Sequence, residues 1–405
     1  MNSNYKKLGD YIQPVNRRNT DLKVETLLGV SIQKILMPSI ANTLGTNMKT
    51  YKIIEKNQFA YGPVTSRNGD KISIALLQEF DEAIISQAYT VFEVVDTKKL
   101  HHEYLMMWFC RPEFDRYARF KSHGSARETF DWDELCEVEL PIPSIEKQRE
   151  IVNEYNTVTD RIKLNEQLCQ KLEETAQALY KHWFVDFEFP NEEGEPYKSS
   201  GGEMVYKEEL DKEIPEGWEV KSFNEIAKLT MGQSPKGDSY NDYGIGIPLI
   251  NGPVEFGDYF TVKTKWTTSP KKYCKDGDLI LCVRGSTVGR FVISDGKYAI
   301  GRGVTAISSI NQNFIEFLIK VNLSEILKDV TGSTFPNLDR KTIENYRIPL
   351  SKEKVIEAFD KLLSPLKSLI KQRAKMNIHL TKFQAVLLSK ISTVKENVKL
   401  ETIEN

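Results

Sequence analysis

The feature that most constrains this chain is that it repeats itself. Gly124-Ser125 and Gly332-Ser333 lie 208 positions apart. Asp131 and Asp339 keep that offset, as do Leu135 and Ile343, and Leu140-Pro141 and Ile348-Pro349. The offset continues downstream, where Ile151, Tyr155, Val158, Ile162, Leu168 and Leu172 fall opposite Phe359, Leu363, Leu366, Ile370, Met376 and Leu380. Apolar residues match one another easily by chance; Gly-Ser and x-Pro pairs in register do not. The period is too long for a solenoid repeat, so the chain reads as domain, helix, domain, helix. The corresponding boundaries are residues 1–143, a helix over 144–190, a linker over 191–213, a second domain over 214–350 and a second helix over 351–395.

Both helical segments carry heptad character. Ile151, Tyr155, Val158 and Ile162 recur at spacings of four, three and four, and Leu172 and Leu179 resume the stripe after polar Asn165 and Cys169. The second segment shows Phe359, Leu363, Leu366 and Ile370, then Arg373 and Asn377, then Leu380 and Leu387. A period near 3.5 marks a coiled-coil seam. Ser144 and Ser351 stand where N-caps belong, and the first helix should stop before Pro190. Ala176 and Ala178 read as tolerant helix surface. Residues 144–213 hold 17 acidic against 9 basic residues, whereas residues 351–405 hold 11 basic against 6 acidic. The two apolar stripes and opposite charges predict that the helices pair. With a whole domain between them, antiparallel pairing and a pseudo-two-fold relation of the two domain–helix units follow. A run of about 40 residues extends about 60 Å, which suits a spacer.

The domains read as mixed strand and helix, giving an α+β fold class with two homologous domains separated by long antiparallel coiled-coil helices. Tyr51-Lys52-Ile53-Ile54 begins a strand, Ser66 to Asp70 is a turn, and Ile84 to Val95 reads as one strand. In the second domain Tyr273 to Leu281 reads as turn then buried strand. Arg284-Gly285-Ser286-Thr287-Val288-Gly289-Arg290 is a glycine-rich basic turn. Phe291 to Ser294 is a strand with a hairpin at Asp295-Gly296, and Asn313 to Lys320 is helical.

Composition excludes several classes. Of 405 residues, 40% are hydrophobic and 28% charged, which suits an ordinary globular protein. Runs such as Leu279-Ile280-Leu281 are far too short to cross a bilayer, so no membrane partner is expected. The five cysteines form no CxxC pair, which argues against zinc ribbons and disulfide frameworks and points to a reducing cytoplasm. The first residues lack the apolar stretch of a signal peptide. A net charge of −2 gives by itself no reason to expect a nucleic-acid partner.

Several motifs together resemble one known family. Lys275-Asp276-Gly277-Asp278-Leu279-Ile280 leading into Arg284-Gly285-Ser286 resembles the second target recognition domain of type I restriction–modification specificity subunits. So does Gly217-Trp218 with Met231-Gly232-Gln233-Ser234-Pro235. The run from Leu172 to Phe187, containing Tyr180-Lys181-His182-Trp183-Phe184, is similar to that family's central conserved region. Pro141-Ile142-Pro143 with Gln148 resembles its helix start, and Tyr51 to Phe59 with Ser86-Gln87-Ala88-Tyr89 resembles one subclass of recognition domain. The likeness spans essentially the whole chain. The second helix start departs from it, lacking Pro-x-Pro and the Gln. The resemblance implies a non-catalytic subunit of an adenine methyltransferase/endonuclease complex. Each domain would read one half of an asymmetric, split site in double-stranded DNA. The helices would set the gap and hold two methyltransferase subunits, to which restriction/translocase subunits are added. No cofactor is implied for this chain; S-adenosylmethionine, ATP and Mg are expected on the partner subunits.

The residues offer little chemistry of their own. No G-x-x-x-x-G-K-[ST] loop is present, and no Asn-Pro-Pro-aromatic or Asp-Pro-Pro-aromatic tetrapeptide occurs. His101-His102 beside Glu103 invites a metal reading, but adjacent residues of a regular element face apart, which favours a surface pair. Asp186 and Glu188 near Glu192-Glu193 read as an acidic loop rather than a nuclease cluster. A stand-alone DNA-modifying enzyme and a coiled-coil adaptor without DNA binding are the alternatives. DNA affinity requires Lys and Arg at phosphates, and specificity requires side chains at base edges. Glycine-containing turns let the backbone come close. The candidates in the first domain are Arg67, Asn68, Lys71, Arg119, Lys121, Ser122, His123 and Arg127. In the second they are Gln233, Ser234, Asn251, Arg284, Ser286, Thr287, Arg290, Arg302, Thr334 and Asn337.

Overall fold

A computed structural model describes residues 5–39, 45–66, 68–69, 71–124, 127–329 and 336–394. Arg67, Ser125, Thr334 and the Gly332-Ser333 pair lie outside the described residues. The chain divides into two compact units, residues 1–163 with 378–405, and residues 164–377. The division cuts through both long helices rather than between helix and domain.

Among the described residues the first unit contains ten short strands. They are β1 (Tyr5–Lys7), β2 (Ile12–Val15), β3 (Leu28–Val30), β4 (Leu36–Pro38), β5 (Lys52–Glu55), β6 (Phe59–Gly62), β7 (Ser73–Leu76), β8 (Glu82–Ile85), β9 (Thr90–Val94) and β10 (Glu139–Pro141). Between the last two lie α1 (His102–Phe109), α2 (Pro112–Lys121) and α3 (Trp132–Cys136). An antiparallel sheet runs in the order β2-β9-β6-β7, and β1 pairs with β10. The expected single strand from Ile84 to Val95 is two, because Ser86 to Tyr89 turns the chain between β8 and β9. Phe59 and Phe92 stack at 4.8 Å, and Phe109 of α1 meets both edge-on. Their burial fixes α1 on the sheet. The long helix α4 (Ile145–Phe184) then starts. Ser144 caps it, its hydroxyl accepting from Lys147 N–H at 3.4 Å.

The second unit repeats this plan. Its strands are β11 (Met204–Lys207), β12 (Lys212–Pro215), β13 (Glu219–Ser222), β14 (Lys228–Met231), β15 (Tyr240–Asn241), β16 (Ile247–Ile250), β17 (Trp266–Thr267), β18 (Tyr273–Cys274), β19 (Leu279–Cys282), β20 (Phe291–Ile293), β21 (Tyr298–Ile300), β22 (Val304–Ser308) and β23 (Arg347–Leu350). Its helices are α5 (Gln312–Ile326), α6 (Arg340–Glu344) and α7 (Glu353–Lys390). The antiparallel sheet β14-β22-β19-β20 has the strand order of β2-β9-β6-β7, and β13–β23 closes the domain as β1–β10 does. A further five-stranded sheet, β15-β17-β16-β21-β18, is grafted on. The expected hairpin at Asp295-Gly296 does not form. That turn passes the chain from β20 in one sheet to β21 in the other. Ser351 is no N-cap: its hydroxyl donates to Lys352 O, and α7 begins at Glu353.

Within each unit the long helices pair antiparallel, since partners on α7 fall in number as those on α4 rise. In the first unit Gln384 donates to Thr159 Oγ1 at 2.7 Å. In the second, Asn165 donates to Asn377 at 2.7 Å, and Lys367 lies 3.6 Å from Glu173. The seam differs from the expected stripe in its middle. Asn165, Cys169 and Ala176 are fully buried, whereas Leu172 and Leu179 are half-buried. Ala176 is therefore core, not tolerant surface. Phe359, Leu363 and Ile370 are fully buried as seam positions, and Val158 nearly so. Ile151, Tyr155, Ile162, Leu366, Leu380 and Leu387 are half-buried. Tyr180, Trp183 and Phe184 join Phe314 and Phe317 of α5 and Phe359 of α7 in one aromatic core. The Tyr-Lys-His-Trp-Phe motif thus locks the helix pair into the second domain. Among the described residues no helix is long and apolar enough to cross a membrane.

Candidate nucleic-acid interface

The second domain gathers its candidates at the meeting point of five loops. After β14, Gln233 N–H donates to Ile300 O at 2.9 Å. After β21, Gly301 N–H donates to Ile250 O at 2.8 Å, beside Asn251, and Arg302 N–H reaches Ser234 Oγ at 3.4 Å. A Cβ on Gly301 would lie 2.0 Å from Asn251 Oδ1, and one on Gly232 would lie 2.1 Å from Gly301 O. Only glycine permits so close a crossing. Next, Val283 N–H donates to Gly303 O at 2.9 Å, and Arg284 bridges to Asn337. Gln233, Ser234, Asn251, Arg302, Arg284 and Asn337 therefore belong to one continuous edge. Ser286 and Thr287 occupy the adjoining turn, closed at its base by Arg290 N–H donating to Thr287 O at 3.1 Å. Arg284, Arg290 and Arg302 are exposed, and none forms an ion pair among the described residues.

In the first domain the loop after β6 meets the loop after α2. Thr65 N–H donates to Glu128 O at 3.0 Å, and Thr65 Oγ1 to Ser122 Oγ at 2.9 Å. Asn68 donates to Val64 O and Ser73 Oγ, both at 3.1 Å, so its amide holds the turn. Ser122 donates to Ala118 O at 2.7 Å. Acids offset most of the nearby cations. Arg119 pairs with Glu128, Lys121 lies 3.4 Å from Glu134, and His123 lies 3.5 Å from Asp131. Lys71 and Arg127 remain exposed. Arg127 shares a depression with Asn68 and Tyr89, and Lys71 shares another with Arg116, Arg119 and Phe120.

Two residues at these edges escaped the sequence reading. Phe120 is 84% exposed between Arg119 and Lys121. Its displacement from the buried α2 stripe of Phe114 and Ala118 was a usable signal. Lys272, exposed, accepts at its carbonyl from Ile300 N–H beside Gln233; no motif distinguishes it from other loop lysines.

The metal reading needs a correction of geometry. His101 and His102 do not face apart. His101 is the N-cap of α1, with φ −81° and ψ 129°, and the change from extended to helical backbone stacks the two rings at 4.5 Å.

A duplicated sheet joined to paired helices, with polar and basic loops at its edge, defines a modular recognition protein. The model of the type I restriction modification DNA specificity domain matches residues 3–174 and again residues 215–376. The chain belongs to that family, and its role is that of a specificity subunit, a non-catalytic class. The MjaIX specificity subunit of Methanocaldococcus jannaschii is 31% identical over 303 residues, covering 71% of this chain and 68% of that one. The HindI specificity subunit of Haemophilus influenzae is 23% identical over 401 residues, covering 82% and 86%. The crystal structure of the type I restriction–modification system S subunit from M. genitalium shares the fold. It covers 96% of both chains at 15% identity, with a TM-score of 0.57.

Proposed function

We propose that each domain of this chain reads one half of an asymmetric, two-part site in double-stranded DNA. The helices set the gap and dock two methyltransferase subunits, through which restriction/translocase subunits join. S-adenosylmethionine, ATP and Mg belong to those partners, and this chain supplies positioning alone. The observation that carries the reading is the repetition of one sheet order, β2-β9-β6-β7 and β14-β22-β19-β20, on widely different sequences. One scaffold with divergent edge loops suits two different half-sites. Mapping methylated bases in cells that carry this chain and its methyltransferase tests it. The expected motif has two unlike parts and a fixed gap. Methylation that does not depend on this chain would defeat the proposal. Native mass spectrometry should find one copy of the chain with two methyltransferase copies. A one-to-one complex at saturating partner would remove the second docking surface.

A further inference from the structure

The start of α1 carries a group of side chains that DNA reading does not use. Among the described residues, His101, His102 and Glu103 form the one group of at least three His, Cys, Asp or Glu side chains whose donor atoms approach closely, all within 4.8 Å of one another. His102 Nε2 lies 3.7 Å from Glu103 Oε1. That is too long for a hydrogen bond and close to the separation, about 3.4 Å, of two ligands on one tetrahedral zinc ion. The ring's other nitrogen, His102 Nδ1, is buried without a partner. All three residues are half-buried, so an ion could enter from solvent while exchanging little water.

Two residues of α4 brace the group. Asn156 donates to Glu103 Oε2 at 2.5 Å, which leaves Oε1 to face His102. Gln148 accepts from His101 N–H at 2.8 Å and donates to Lys99 O and Pro143 O, both at 2.8 Å. Gln148 thereby fixes the backbone that carries the first imidazole. A carboxylate steadied by an outer hydrogen bond is a recurrent feature of metal sites.

We propose that His101, His102 and Glu103 bind a zinc-type divalent ion at the start of α1, with Asn156 of α4 bracing the carboxylate ligand. Two nitrogens and one carboxylate oxygen leave a fourth position for water. Coordination through His101 Nε2 places the proton on Nδ1. It gives up the cap bond from Glu103 N–H, which at 3.3 Å is a long one.

The test uses the untagged full chain, stripped with chelator and dialysed against zinc chloride. About one equivalent of zinc should bind. His101→Ala/His102→Ala and Glu103→Gln should each weaken binding by more than about tenfold, and Asn156→Ala by about tenfold. Zinc should raise the melting temperature of the wild type and not that of Glu103→Gln. Cobalt in place of zinc should show the visible bands of a four-coordinate nitrogen–oxygen site. Glu103→Gln preserves shape and decides the matter if the double variant fails to fold. The proposal is overturned if the wild type binds no zinc, or if Glu103→Gln binds as tightly as the wild type. Thiolate-to-cobalt charge transfer would also overturn it, by assigning the ion to the five free cysteines.

Discussion

The two domains share a scaffold and differ at the edge proposed to read DNA. In the second, Arg284, Arg290 and Arg302 stand exposed and without a carboxylate partner among the described residues. In the first, Arg119 and Lys121 each face an acid. Paired cations are already screened and must give up a partner before they meet a phosphate. The second domain should therefore supply more of the phosphate contact, whereas the first must rely on Lys71, Arg127 and shape.

The interiors differ in the opposite sense, with more ion pairing in the second unit. In the second unit Lys367, buried, serves both Glu316 and Glu173, and Glu173 also takes Lys320 at 2.6 Å. In the first unit buried Lys34 serves Asp115 at 2.7 Å and the carbonyl of Phe109. Lys367→Met removes the cation hydrogen-bonded to buried Glu316 and should cost about 3–5 kcal/mol in urea denaturation of the full chain. Lys34→Met should cost less, about 1–3 kcal/mol, because Asp115 keeps the Ile72 N–H. Equal losses would erase the distinction.

DNA binding by the assembled methyltransferase sharpens the comparison at the edges. Arg284→Ala/Arg302→Ala should weaken binding by about 10–100-fold and lower the salt slope by about two. Arg119→Ala/Lys121→Ala should change affinity by less than about threefold. A larger effect from the first-domain pair would reverse the assignment.

The smallest difference lies at α3 and α6. Asp339 accepts from Thr342 N–H at 2.9 Å, whereas Asp131 makes no side-chain cap bond. Asp339→Ala should thus lower the melting temperature more than Asp131→Ala. The Thr342 backbone N–H holds the Asp339 carboxyl below its ordinary 3.8. Its contribution is present above pH 3.8 and is lost as pH falls through the depressed value. The gap between wild type and Asp339→Ala should therefore close in acid.

What the sequence revealed of this fold follows from where its signals were local. Asp131 and Asp339 kept their offset because each starts a short helix followed by an x-Pro strand that must fit the same closing pair. The shared sheet left no such trace. Its strands start at Ile12 and Lys228, at Phe59 and Leu279, at Ser73 and Phe291, and at Thr90 and Val304, so insertions destroy a constant offset. Buried β-strands constrain only size and apolarity. The seam misled at Asn165, Cys169 and Ala176. An Asn–Asn hydrogen bond and close helix approach satisfy small or polar residues that a hydrophobic stripe excludes. The clustering of Gln233, Asn251, Arg284 and Arg302 depends on which loops cross, and Gly232 and Gly301 permit that crossing without announcing it in sequence. Candidate residues could be chosen by type, but not which of them share an edge.

Exchanging residues 214–350 for the second domain of another family member, then mapping methylated bases, tests the central claim most directly. The account predicts that one half of the recognised site changes to that of the donor domain while the other half and the gap stay as they were. A change in both halves would contradict it, because neither domain would then read DNA independently of the other.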